Sequence, residues 1–326
     1  MKVSIVIPTY HRRNDVDKCL DSIIYQTNQP KEVIIVDNTP NNEIENLIRK
    51  RKNEFIKKNI ILKYVINLRE NSHTIAQNIG IGHATGDIIL FLDSDVILDK
   101  NYIKEILKIY KEKSKALGVQ GFIQNQKKEK WFIGTLSRIY DRIFFIHLDE
   151  KNKFRLLPSY GVSWPSFVDE IINCEWLSGA NNSYRKEILE KFKFDENLKK
   201  IGFCDEDLPY RIFKKYPNSL FMTPHAKLIH KGSLEGRNPK KELVYMEEIY
   251  YLYLFYKNIE QTVKNKIIYV WSRLGRLIYK MILWTLKPSK SKLIEIRYVI
   301  LAILCCIKHI SEIKEGQLEF FNEQLS

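Results

Sequence analysis

Cysteine is scarce in this chain, with five in 326 residues. No C-x-x-C occurs, and the adjacent Cys305 and Cys306 are poor disulfide partners. That usage excludes a disulfide framework and fits a reducing compartment. Long apolar runs are missing too. Only Val3 to Ile7 precede Pro8 at the N-terminus, too short a run for a secretory signal. Near the other end, the uncharged run Tyr298 to Ile307 falls short of the roughly 20 residues that cross a bilayer. The chain is therefore expected to stay in the cytoplasm. No Gly-x-Gly-x-x-Gly follows the first strand-like segment, which disfavours an ordinary dinucleotide-binding enzyme. A Gly-rich phosphate loop ending in Lys-Ser/Thr is also absent, as are internal repeats and low-complexity tracts.

What is present looks globular: 44% hydrophobic and 28% charged residues. The length allows one large core, or one core with an appended helical segment. The formal charge of +14 is unevenly spread. Residues 257–297 hold ten Lys or Arg against only Glu260 and Glu295. A localised basic stretch points to a membrane surface, a nucleic acid or an acidic ligand.

The first half alternates short apolar runs with helical patterns. Val3–Ile7, Val33–Val36, Ile61–Ile66 and Ile88–Leu92 read as buried strands. Helices are expected from an Asn14 cap to Tyr25, over 42–58, and from a Ser72 cap to Ala84. This order implies a Rossmann-like α/β fold with a mostly parallel sheet covered on both faces. Ligands bind such sheets outside the carboxyl ends of the strands. Two of those ends are acidic: Asp37-Asn38 and Asp93-Ser94-Asp95. Residues 117–180 read as a less regular region completing the sheet and the acceptor side. Helices follow at Arg185–Phe192 and Asp205–Lys215, a strand at Leu220–Met222 or Ala226–Ile229 leads to His230, and the pattern is helical from Pro239. The domains expected are 1–235, split near residue 100 into a nucleotide half and an acceptor half, and a helical extension over 236–326.

Asp93 and Asp95 follow a fully apolar strand. Residues i and i+2 of an extended chain face the same side, so both carboxylates can point at one ligand. Mg²⁺ typically takes one or two carboxylates plus substrate phosphates, and neutralises charge on a leaving diphosphate. The bland reading is a helix N-cap with acidic first-turn residues. The wider pattern resembles the family 2 glycosyltransferases with the GT-A fold over about residues 1–235. VSIVIPTYHR at 3–12 is similar to that family's opening strand and nucleotide loop. VIIVDN at 33–38 is similar to its second strand with a base-contacting acid, and NIGIGHATGDIILFLDSD at 78–95 to the stretch ending in its metal motif. The resemblance implies that Asp95 ligates Mg²⁺ or Mn²⁺, with Asp93 near the ribose and the metal. It further implies that Thr9 and Asp37 contact the nucleotide base and that Asn78 lies near the donor. Asn38 departs from the pattern, standing where many members carry a second acid.

Asp205-Glu206-Asp207 opens a helix with basic residues. Inverting glycosyl transfer needs one base within about 3 Å of the acceptor hydroxyl. A carboxylate crowded by others and partly desolvated has raised proton affinity. The family carries an acidic pair followed by x-Asp-Leu-x-x-Arg. Aligned on Asp207, Leu208 and Arg211, the base falls on Asp205, with Glu206 as the alternative and Cys204 replacing the frequent preceding Glu. Helix-dipole compensation is the reading without chemistry. Upstream, Trp176 to Asn182 is similar to the family's loop beside donor sugar and acceptor. Gly179 there permits close backbone approach. Asn181 and Asn182 either meet sugar hydroxyls or simply make a polar turn. Some relatives use a histidine at the position of His230 on the metal or diphosphate, and neutral imidazole is a reasonable metal ligand.

In the C-terminal extension, Lys266, Arg273, Lys280 and Lys287 recur every seven residues, with Arg276 between them. Seven residues is close to two helical turns, so these charges form one stripe. The remaining face carries Ile267, Ile268, Val270, Trp271, Leu274, Leu277, Ile278, Met281, Ile282 and Trp284, and Pro288 breaks the pattern. Such helices are expected to lie in the membrane interface, Lys and Arg toward anionic headgroups, as a peripheral association with the inner face of the cell membrane. Docking on the catalytic domain or a second subunit is the alternative.

The function expected is an inverting, metal-dependent glycosyltransferase. Its donor would be a nucleoside-diphosphate sugar and its acceptor a hydroxyl on a glycan or lipid-linked sugar, with family resemblance suggesting surface polysaccharide biosynthesis. A metal-dependent nucleotidyltransferase and a basic membrane- or nucleic-acid-binding protein are the rivals. No nucleic-acid module is visible, so no nucleic-acid partner is expected.

Overall fold

Runs of Val and Ile, branched at Cβ, favour extended backbone and pack densely when buried on both faces. The computed structural model, which describes residues 1–39, 42–124, 131–165, 167–199, 204–233 and 240–323, has strands at those runs. In chain order the elements begin β1 (Val3–Thr9), α1 (Arg13–Ile24), β2 (Glu32–Asp37), α2 (Glu43–Lys57), β3 (Ile61–Ile66) and α3 (His73–His83). Next come β4 (Ile88–Phe91), β5 (Val96–Leu98), α4 (Tyr102–Glu112), β6 (Gly118–Ile123), α5 (Trp131–Ile143), β7 (His147–Leu148), β8 (Arg155–Leu156) and β9 (Val162–Ser163). The rest are β10 (Ile172–Asn173), β11 (Asn182–Arg185), α6 (Lys186–Lys191), α7 (Cys204–Lys215), β12 (Leu220–His230), α8 (Lys240–Asn258), α9 (Val263–Leu286), α10 (Lys290–Lys308), α11 (Ile310–Glu315) and α12 (Glu319–Glu323).

Two compact units emerge, residues 1–127 with 167–237, and residues 128–166 with 238–326. Residues 128–166 group with the C-terminal helices rather than with the sheet. The aromatic composition of that segment explains the difference: Phe144 stacks on Trp271 of α9 at a ring separation of 4.8 Å.

The first unit carries a sheet in the order β10-β12-β6-β11-β4-β1-β2-β3, with β5 paired to the end of β12. β4, β1, β2 and β3 are mutually parallel, so their carboxyl ends share one edge. Every residue of β1, β2 and β4 is buried. β3 lies at the sheet edge with both its end residues exposed. Ser72 caps α3 as its spacing predicts, accepting from Ile75 N–H. Asn14 is not a cap: α1 begins one residue earlier, after Arg12. Glu32, fully buried at the start of β2, locks the opposite end of the sheet. It accepts from Ser4 Oγ at 2.6 Å and Thr85 N at 2.6 Å, and pairs with Lys63 Nζ at 2.6 Å.

The second unit centres on α8, whose buried residues, from Val244 to Phe255, run nearly all round the helix, as a core helix requires. α10 and α11 pack on it. The middle of the basic stripe, Arg273, Arg276 and Lys280, turns inward, away from its expected headgroup role, while Lys266 and Lys287 at its ends are exposed. Arg273 is 9% exposed. It pairs with Glu248 of α8 at 3.7 Å and lies over the rings of Tyr251 and Tyr269. Arg276 pairs with Glu247, and Lys280 with Glu295 at 2.6 Å. The buried carboxylate of Glu248 demands a partner, and the stripe supplies it. No described helix is long and apolar enough to cross a membrane.

Candidate active site

The site grows from the β4 exit. Asp93 and Asp95 stand in the short link between β4 and β5, where a helix N-cap was the bland expectation. β5 runs antiparallel to the end of β12, with Val96 opposite His230. That register brings His230 onto the acids from more than a hundred residues away. His230 Nε2 lies 3.2 Å from Asp95 Oδ1 and 3.5 Å from Asp93 Oδ2. One ligand atom from each of Asp93, Asp95 and His230 falls within 4.8 Å of the others, the one such group among the described residues.

Asp95 is the buried member, at 1% exposure. Ser233 N–H donates to its Oδ2 at 2.7 Å, and its backbone oxygen accepts from Lys231 N at 3.0 Å. Arg12 Nη1 stands 3.6 Å from Oδ1. Although His230 and Arg12 crowd it, Oδ1 receives no hydrogen bond of proper geometry. Burial would raise the Asp95 carboxyl, but His230, the Ser233 N–H and Arg12 overcome it and hold the group at about 2. The carboxylate pushes His230 above its ordinary value in turn, against its own burial and with help from Asp93. A buried, ionised oxygen with an unfilled lone pair, a second carboxylate and an imidazole fit a hard divalent cation. Asp93, Asp95 and His230 are thus the residues able to hold Mg²⁺ or Mn²⁺.

Asp205 opens α7 and meets the site through the 178–182 turn. A β-carbon on Gly179 would stand 2.6 Å from the Asp205 carboxyl carbon, so the carboxylate rests on the bare backbone of Gly179. The next residue, Ala180, accepts from Asp93 N at 3.2 Å. Two adjacent residues therefore link the α7 acids to the β4 acids. Asp207 turns away, held by Arg211 at 2.8 Å. Burial, then the charges of Asp205 and Asp207, push the Glu206 carboxyl upward.

Thr9 and Asp37 sit opposite each other at the ends of β1 and β2. Asp37 accepts from Thr39 N at 2.8 Å and Tyr64 Oη at 3.0 Å, yet its burial still raises its proton affinity. Thr9 Oγ1 is buried with no partner among the described residues. Asn78, expected near the donor, is bonded within the fold. Its amide donates to Phe194 O and Glu196 Oε1, each at 3.0 Å, and accepts from Phe194 N. Asn181 and Asn182 each bond the scaffold through one amide atom, while Asn181 Nδ2 and Asn182 Oδ1 are buried with no partner among the described residues. Asn181 Oδ1 accepts from Gly121 N and Tyr102 Oη, and Asn182 Nδ2 closes on Ser178 O.

Arg12 and Ser233 were not identified from sequence. Arg12 carried one signal, its place in the loop after β1 on the shared carboxyl edge. Ser233 acts through its backbone and carried none.

A four-strand parallel run ending in paired acids, with a helix that opens on three more, is an α/β fold carrying an acidic site at the carboxyl ends of its strands. The chain belongs to glycosyl transferase family 2, whose model matches residues 4–166. Among curated proteins it is similar to glycosyltransferase GlyA of Streptococcus pneumoniae, 23% identical over 72% of this chain. The chain spans only 31% of that relative's length. It is also similar to the undecaprenyl-phosphate 4-deoxy-4-formamido-L-arabinose transferase of Proteus mirabilis, at 24% identity over 53% of this chain and 52% of the relative. Among solved structures it resembles the mannosyltransferase PcManGT of Pyrobaculum calidifontis in complex with GDP-Man and Mn²⁺. The TM-score is 0.56 at 14% identity, covering 93% of this chain and 86% of that one. The fold is that of the GT-A glycosyltransferases.

Proposed function

We propose that this chain transfers a sugar from a nucleoside diphosphate to an acceptor hydroxyl with inversion at the anomeric carbon. The observation that carries the reading is the contact of Asp205 with Gly179, one residue from the carbonyl that binds Asp93. Thr9 and Asp37 recognise the nucleotide base, Thr9 through its unpaired hydroxyl. Asp93, Asp95 and His230 hold the cation. A bound Mg²⁺ or Mn²⁺ supplies positive charge for the departing diphosphate. Arg12 adds a fixed charge on the same side, 3.6 Å from Asp95. Asp205 takes the proton from the acceptor hydroxyl as its oxygen bonds to the anomeric carbon, and the electron pair of the broken bond leaves with the diphosphate. One displacement from the opposite face inverts the configuration.

The Mn²⁺ and GDP-Man in PcManGT support the donor class. The undecaprenyl-phosphate in the Proteus relative's name supports a lipid-linked acceptor in surface polysaccharide synthesis, and with it a station at the inner membrane face. Asp205→Asn is the test: transfer falls at least a thousandfold while donor affinity stays within a few fold. Near-native turnover by this variant removes the assignment, and pyrophosphate in place of nucleoside diphosphate as product removes the reaction class.

A further inference from the structure

The outward side of the second unit is apolar where a soluble helix is polar. On α9 the row Val263, Ile267, Val270, Leu274 and Met281 follows helical spacing, and these side chains are 75, 64, 65, 44 and 49% exposed. Part of that row, with Lys266 and Trp271, lines a shallow groove of about 400 Å³. On α5, Leu136, Ile139 and Ile143 are each more than half exposed and share one face. The two rows join where Trp271 Nε1 donates to Ile143 O at 2.9 Å and Phe144 stacks on Trp271. A continuous exposed apolar surface of this kind marks an interaction site.

Charge identifies the occupant. No Asp or Glu occurs between residues 261 and 294. The inward cations of α9 are spent on Glu247, Glu248 and Glu295, which leaves Lys264, Lys266, Lys287 and Lys290 exposed around the apolar row. A second copy meeting this face about a two-fold axis would oppose lysine to lysine with no acid of α9 to answer them. A bilayer bearing anionic headgroups supplies both the apolar phase and the counter-charge.

We infer that the joined face of α5 and α9 docks on an anionic lipid surface, with the apolar row inserted below the headgroups and Lys264, Lys266, Lys287 and Lys290 at their level. The inward Arg273 and Arg276 take no part. Of the seven-residue stripe only the exposed ends, Lys266 and Lys287, meet the headgroups, and the inference rests on the membrane-surface reading of the enzyme.

The test mixes the full chain with vesicles of phosphatidylcholine alone and with added phosphatidylglycerol, and measures the sedimented fraction. The wild type binds the anionic vesicles at least tenfold better. The double variant Ile267→Glu/Leu274→Glu and the triple variant Lys264→Gln/Lys266→Gln/Lys287→Gln each lose at least tenfold, with melting temperatures unchanged because all these side chains are exposed. Equal, negligible binding by the wild type overturns the inference. So does full binding by the double variant, or a solution dimer of the wild type that the double variant splits. Nucleoside diphosphate release without vesicles is assayed on the same proteins. Failed binding with intact release sinks the docking face alone, and intact binding with no release from any donor sinks the transferase reading alone.

Discussion

Gly179 leaves open the space that the Asp205 carboxylate fills, since a β-carbon there would lie 2.6 Å from the carboxyl carbon and 2.8 Å from Oδ2. Gly179→Ala therefore moves the proposed base without touching the proposed metal ligands. We expect kcat to fall by about 100-fold, in line with the cost of misplacing a reacting group by about 1 Å. Donor affinity should hold, because Thr9, Asp37, Asp93 and Asp95 keep their places. Steady-state kinetics with calorimetric donor binding checks this, and a variant that loses donor affinity but keeps kcat contradicts it.

Glu206 bears on how the acidic cluster titrates. Its Oε2 is buried without a partner among the described residues. Burial first, then Asp205 and Asp207, raise its carboxyl from an ordinary 4.5 to about 8. Below pH 4.5 the group is protonated folded and unfolded alike and has no effect. Between those values the unfolded chain ionises and the folded one does not, so stability falls as pH rises, and the loss is complete above about 8. Glu206→Gln should flatten the decline in melting temperature between pH 5 and 8. Parallel profiles for the two proteins would show that Glu206 is not the responsible group.

How much of this was legible in the sequence depended on whether a residue's partner was local. Asp93 and Asp95 announced themselves because a fully apolar strand delivers them, and parallel strands put Thr9 and Asp37 at the same edge. β5 has only three residues, too short for a periodic signal, so the pairing that sets His230 beside Asp95 was invisible. The split strand signal around residues 220–229 is one strand, irregular between Met222 and Lys227. Periodicity showed that α9 has a basic and an apolar side, but which side turns inward was decided by Glu247 and Glu248 on another helix. The clasp of Asn78 on Phe194 and Glu196 was equally out of sight, since it spans more than a hundred residues.

Glu32 makes a prediction about the scaffold independent of catalysis. Burial opposes its ionisation, but Lys63, Ser4 and Thr85 hold the carboxyl at about 2 against an ordinary 4.5. Because the folded value is depressed, its stabilisation is fully present above 4.5 and drains away as pH falls toward 2. Glu32→Gln keeps the shape but removes the charge that Lys63 faces. We expect a loss of roughly 2 kcal/mol at pH 7, the range for hydrogen bonds to a buried charged group, shrinking toward zero near pH 2. Urea unfolding at several pH values reads both quantities, and a penalty independent of pH would contradict the assignment.

Substitution separates the proposed metal centre from the proposed nucleotide site. Asp95 is buried and ionised, and its Oδ1 is the unfilled acceptor, so Asp95→Asn should reduce Mn²⁺ binding below detection. His230 is 31% exposed at its side chain and approaches from β12. His230→Ala removes one donor and leaves both carboxylates, so affinity should drop by about 10- to 100-fold, the scale seen when a supporting metal contact is lost. Asp37→Asn lies at the β2 end and should leave Mn²⁺ affinity unchanged while weakening nucleotide binding. Paramagnetic resonance of Mn²⁺ titrated with a nucleoside diphosphate present resolves all three. If Asp95→Asn binds Mn²⁺ as the wild type does, the cation is held elsewhere, and the acids after β4 serve only to neutralise Arg12 and His230.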